Sequence, residues 1–155
     1  MPLRRRLTDL LKVLGVFAVL GPPLGAMTFF AGLGLYGASE SGDYAGMTWV
    51  FLFGLIYAVP LSYLMGIMPA SAAGLILGAI AVFYRVPGTL IAIAVGLLVG
   101  FGMVFSGGRP TLPYAAESVS DYASALLLIS TCVVPTVLCW PLARRMITGA
   151  SVPDR

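Results

Sequence analysis

Histidine is absent from the 155-residue chain, charged residues make up only 10% of it, and there are two cysteines. Without imidazole, histidine-ligated haem, zinc, copper or iron and Ser-His or Cys-His catalysis are excluded together. A soluble domain carries about a quarter charged residues, so this chain lacks the material for an ordinary water-facing surface. What is there points the other way: 59% of the residues are hydrophobic and the mean hydropathy is +1.00. The composition predicts an all-α integral membrane protein, a small polytopic helical bundle in one transmembrane domain covering 1–155. The cysteines, Cys132 and Cys139, stand seven apart and share a helix face. About 10.5 Å of helical rise separates them, too far for a disulfide or a shared metal ion, and they read as packing residues.

The charges cut the chain. Between them lie four uncharged runs, Val13–Ser39, Tyr44–Tyr84, Val86–Gly108 and Tyr122–Ala143. A helix needs roughly 20 apolar residues to cross the hydrocarbon, so three runs fit one crossing each and the second is long enough for two. Gly66-Ile67-Met68-Pro69 is the expected break in it, because proline suits the first turn of a helix better than its interior. Five helical segments follow, at about 10–38, 44–65, 70–84, 88–105 and 119–145. Segment 70–84 is short for a crossing. If it is tilted or re-entrant the protein crosses four times, and with the amino terminus inside, eight of the nine basic residues face the cytoplasm, all but Arg109. Five crossings leave almost no bias, so the positive-inside rule favours four. Hydropathy alone favours five, and no proline within 73–78 would turn the chain at depth.

At the amino terminus, Arg4, Arg5, Arg6 and Lys12 precede the first apolar run, and Arg144 and Arg145 follow the last. These six are expected at lipid headgroups, each basic side chain attracting anionic lipid by about 1 kcal/mol. Leu3, Leu7, Leu10, Leu11 and Leu14 fall at helical spacing, which predicts a helix on the membrane surface before the chain enters. The interruption at Lys12 and the length of the uncharged stretch favour a retained first crossing over a cleaved leader. Ser106–Asp121 is the one long loop, with Ser118 and Asp121 spaced as a capping box for the last helix.

Nineteen glycines include Gly21/Gly25, Gly74/Gly78 and Gly96/Gly100, at the four-residue spacing that lets membrane helices approach closely. These six are the predicted helix-packing residues, with the third and fourth segments expected to pack stripe to stripe and any face left over available to a second protein. Prolines inside helices, at Pro22-Pro23, Pro60 and Pro135, free carbonyls that Tyr57, Tyr63, Thr131 or Thr136 could satisfy. Tyr36, Tyr44, Trp49 and Tyr122 on one side, and Tyr84 and Trp140 on the other, fit an aromatic belt. The seven methionines have no second ligand type beside them and read as core filler. No metal, cofactor or catalytic constellation can be assembled from these residues, and nothing suggests nucleic acid.

Two functional expectations follow. The first is a non-catalytic accessory or assembly subunit that packs against a larger membrane complex, or against itself, through small-residue helix faces. The second is an oligomeric small-solute transporter or channel, including a holin-like pore former. In either case the expected partner is the lipid bilayer, and the expected location is the plasma membrane, as a multi-pass protein of a bacterial inner membrane with its amino terminus in the cytoplasm.

Overall fold

The computed structural model describes residues 3–83, 88–106 and 119–148. Among them there is no strand. The elements are α1 (Leu3–Ser41), α2 (Tyr44–Phe53), a π turn at Gly54–Ala58, α3 (Val59–Phe83), α4 (Thr89–Ser106) and α5 (Val119–Thr148). Stretches of α1, α3, α4 and α5 are long and apolar enough to cross a membrane.

Helix α1 ends in a two-residue turn. Gly42 takes a φ of 71°, and its N–H donates to Ala38 O at 2.9 Å. This left-handed stop is one that glycine adopts without a Cβ penalty. Asp43 then caps α2, its carboxylate accepting from the N–H groups of Ala45 and Gly46 at 3.0 and 3.1 Å. The chain reverses here, and α2, the π turn and α3 run back along α1 as one helical rod.

The break expected at Gly66–Pro69 is therefore misplaced. Helix α3 passes through Pro69, and the irregular turn lies at Gly54–Ala58, just before Pro60. Proline lacks an N–H and crowds the carbonyl four residues back, and a widened π turn is one way for a helix to absorb this. At Pro69 packing holds the helix together instead: Gly66 lies on Pro22, and Ala70 lies on Gly21. Segment 70–83 is the far part of the rod that begins at Tyr44, and the stretch Gly66–Phe83 that contains it is long and apolar enough to cross a membrane. The rod is about 60 Å long at 1.5 Å per residue, and a rod longer than the bilayer is thick can be accommodated by tilting.

The helices alternate in direction. Gly34 meets Met47, Pro22 meets Gly66, Phe17 meets Gly74 and Val13 meets Gly78 along one antiparallel seam. Helix α5 runs antiparallel to α1, with Gly25 beside Thr131 and Gly32 beside Leu127, and antiparallel to α4, with Gly96 on Val133 and Gly100 on Ile129. The amino-terminal end of α1 thus shares one end of the bundle with the carboxyl-terminal ends of α3 and α5 and the start of α4.

That basic end holds the core: Val13 and Phe17 from α1, Ala73 and Leu77 from α3, Ala92 and Val95 from α4, and Cys139, Trp140 and Ala143 from α5. Trp140, expected in an aromatic belt, is instead 1% exposed at the centre of this cluster. The belt pattern places a tryptophan near a boundary but not on a face, and this position on α5 points inward. The separate surface helix expected at the amino terminus is also absent. Helix α1 runs unbroken from Leu3, and Leu10, which would have faced lipid, sits over Gly78.

Candidate functional site

Above this core the helices part. Helix α3 packs mainly on α1, and α4 mainly on α5, while α1 and α5 hold the two pairs together. Between the pairs lies a cavity of about 390 Å³, open on one side. Phe17, Gly21, Pro22, Gly25, Ala26, Phe29 and Phe30 line it from α1, and Leu61, Ser62, Gly66, Pro69 and Ala70 from α3. Val99 and Met103 of α4 and Leu128, Thr131, Cys132, Pro135 and Thr136 of α5 complete the wall.

Three helices turn an internal proline toward this space, Pro22, Pro69 and Pro135. Each removes a backbone bond at a depth where water does not replace it. Pro23, next to Pro22, leaves Val19 O without its helical donor, and the Tyr63 hydroxyl donates to that oxygen at 2.8 Å. The wall threonines, expected to satisfy proline-freed carbonyls, instead bond to carbonyls that no proline frees. Thr131 Oγ1 donates to Leu128 O and Thr136 Oγ1 to Cys132 O, both at 2.6 Å. Among the described residues, none that lines the cavity is charged.

Lined by apolar groups and open on one side, the space of about 390 Å³ is a partly open recess and not a sealed void. Engineered apolar cavities of about 150 Å³ stay dry and admit benzene. A site of this volume and polarity therefore suits an apolar occupant.

The six glycines singled out by spacing all lie at close helix contacts, but not where stripe-to-stripe packing of the third and fourth segments would put them. A Cβ on Gly21 would fall 2.7 Å from Ala70 Cβ, one on Gly74 2.8 Å from Phe17 Cβ, and one on Gly78 3.5 Å from Val13 Cβ, all on the α1–α3 seam. Gly25 faces Thr131 O at 3.3 Å, Gly96 faces Val133 Cα at 2.9 Å and Gly100 faces Ile129 Cα at 3.1 Å, all against α5. Each stripe has thus found the nearest antiparallel neighbour, and α3 and α4 touch much less extensively. Gly34, Gly54 and Gly66 extend the first seam without a second glycine four residues away, which is why a search for glycine pairs missed them, although Gly66 continues the Ala70, Gly74, Gly78 register; Phe30 lies over Gly54 at the π turn.

Of the six headgroup residues, Arg144 and Arg145 are exposed on the last turns of α5, and Lys12 is half-buried and pairs with Asp9 at 3.8 Å. Arg4 and Arg5 fall in the first turn of α1, with side chains outside the described residues. The capping residue Ser118, Tyr84, Arg85, Arg109 and most of the 106–121 loop lie outside them as well. The two cysteines have different surroundings: Cys132 borders the cavity and Cys139 is sealed in the core. Tyr36, Tyr44 and Trp49 are exposed at the other end, where Trp49, Phe53 and Tyr57 form a ladder with ring centroids 6.4 and 6.0 Å apart. Among the described residues no three His, Cys, Asp or Glu side chains gather as a metal site. Comparison with protein-family models, curated protein sequences and solved structures finds no match to this chain.

Proposed function

We propose that this protein is a non-catalytic, multi-pass membrane protein that binds an uncharged, apolar solute in the gap between α3 and α4, the small-solute carrier reading of its sequence. The observation that carries the proposal is the uncharged cavity, whose volume falls in the range of small-molecule sites, about 300–1,000 Å³. The packed core closes the bundle below the cavity, which favours a binding site over an open pore within one chain. Membranes of a bacterial cytoplasmic type are the setting we assign, with the basic end carrying Arg6, Lys12, Arg144 and Arg145 toward the cytoplasm by the positive-inside rule.

The test uses iodobenzene as probe on protein purified into bicelles. Binding to the native state raises its unfolding temperature with ligand concentration. The reading expects that rise in the wild type and its loss in Ala26→Phe, which puts a ring into the cavity; no rise in a folded wild type that also retains no phospholipid in native mass spectrometry removes it.

A second reading, an accessory subunit, is supported by the exposed Trp49–Phe53–Tyr57 ladder, a rigid aromatic face of the kind enriched at interfaces. Stoichiometric co-purification of other chains after gentle solubilisation, disrupted by Phe53→Ala, would favour it over the carrier.

A further inference from the structure

We propose that the resident occupant of the cavity is one acyl chain of a bilayer phospholipid, admitted sideways through the gap between α3 and α4. This deepens the apolar-solute reading and rests on it. Position is the first argument. The cavity lies beside the central stretches of α1 and α5, and its floor is the packed core around Phe17 and Leu77, so the basic end offers no entrance. The helix pairs α1–α3 and α4–α5 each close on themselves, and the side left loose is that between α3 and α4. At that depth an opening between helices meets hydrocarbon, present at the concentration of the bilayer itself.

The second argument is the chemistry of the wall. A polar solute needs donors or acceptors to replace those it leaves in water. The hydroxyls of Thr131 and Thr136 already donate within α5, and the Val19 carbonyl that Pro23 leaves unmatched already accepts from Tyr63. Phe29, Phe30 and Pro135 supply flat apolar surface, and Gly21, Gly25 and Gly66, whose missing side chains let α1 lie close to α3 and α5, border the space with backbone alone. A flexible hydrocarbon chain satisfies such a wall by contact alone. No charged side chain lines the space among the described residues, so a charged headgroup remains outside the gap, leaving one tail inside.

The experiment places a fluorescent reporter in the cavity and another on the outer face, in nanodiscs of phosphatidylcholine brominated in mid-chain. Both are made in Trp49→Phe protein, where Trp140, sealed in the core, gives a constant background. Phe29→Trp reports from the cavity and Leu64→Trp from a fully lipid-facing position on α3. The proposal expects equal loss of emission at the two positions, and loss at position 29 alone relieved by adding Ala26→Phe. Native mass spectrometry should find one phospholipid retained by the wild type and none by Ala26→Phe. If the position-64 reporter is quenched while the position-29 reporter is not, the acyl-chain assignment is overturned, whether the space is then held by a second copy of the chain, detected as a dimer, or by a small solute. Iodobenzene stabilisation surviving in that case would leave the broader binding reading standing and reject only the lipid.

Discussion

The same four helices pack in opposite ways in two parts of the bundle. At the basic end, Val13 and Phe17 meet Leu77, Val95 and Trp140 with nothing between them. About two helical turns further along, the residues facing one another are Pro22, Gly25, Gly66 and Pro135, and the space between them is about 390 Å³. Burial from water does not distinguish these regions, because lipid is as apolar as leucine and helix association in a bilayer rests on close packing. Side-chain volume does. Large residues fill the closed part, whereas glycine and in-helix proline in the open part bring backbones together along two seams and leave the remainder of the space unfilled.

The contrast orders the expected effects of substitution, each read by reversible unfolding in bicelles. Trp140→Ala should be the most damaging, at about 3 kcal/mol or more, the usual cost of emptying a large buried aromatic site. Gly96→Ala comes next. Its Cβ would stand 2.9 Å from Val133 Cα, a backbone atom that can yield only if α4 and α5 separate, so a loss of about 2 kcal/mol is expected for such overpacking. Tyr63→Phe removes the hydroxyl that donates to Val19 O, and about 1 kcal/mol should be lost with it. Ala26→Phe should be the mildest, within about 1 kcal/mol of wild type despite adding a ring, because volume added to a cavity does not overpack a core. A severe loss from Ala26→Phe, or a negligible one from Trp140→Ala, would break the distinction between closed and open parts.

Much of the architecture was legible from the charges. Their spacing implied an all-α bundle with four or five crossings, and the structure has four antiparallel helices long and apolar enough to cross a membrane. Tyr63 was legible as a partner for a proline-freed carbonyl, since a hydroxyl at that depth has few other acceptors. The helix break was not, because Pro69 and Pro60 look alike in sequence and only packing on α1 decides which one the helix tolerates. The cavity was hidden for a related reason. Gly74/Gly78 and Gly96/Gly100 announce close approach but not to which helix, and it is their choice of α1 and α5 that leaves the α3–α4 side loosely packed above the core. Cys132 and Cys139 make the same point on a smaller scale: one helix face, seven residues apart, yet one thiol borders the gap and the other is enclosed.

That pair also provides the most direct test. A benzene-sized aryl diazirine, photolysed in membranes containing the protein and mapped by mass spectrometry, inserts into whatever it touches without needing an ionised thiol. Labelling at Cys132, Phe29 and Met103, with none at Cys139, Leu77 or Trp140, is the pattern expected of a bundle closed at its basic end and open between α3 and α4. Labelling of Cys139 and Trp140 to the same degree, or none at Phe29 and Cys132 while Leu64 is labelled, would contradict it.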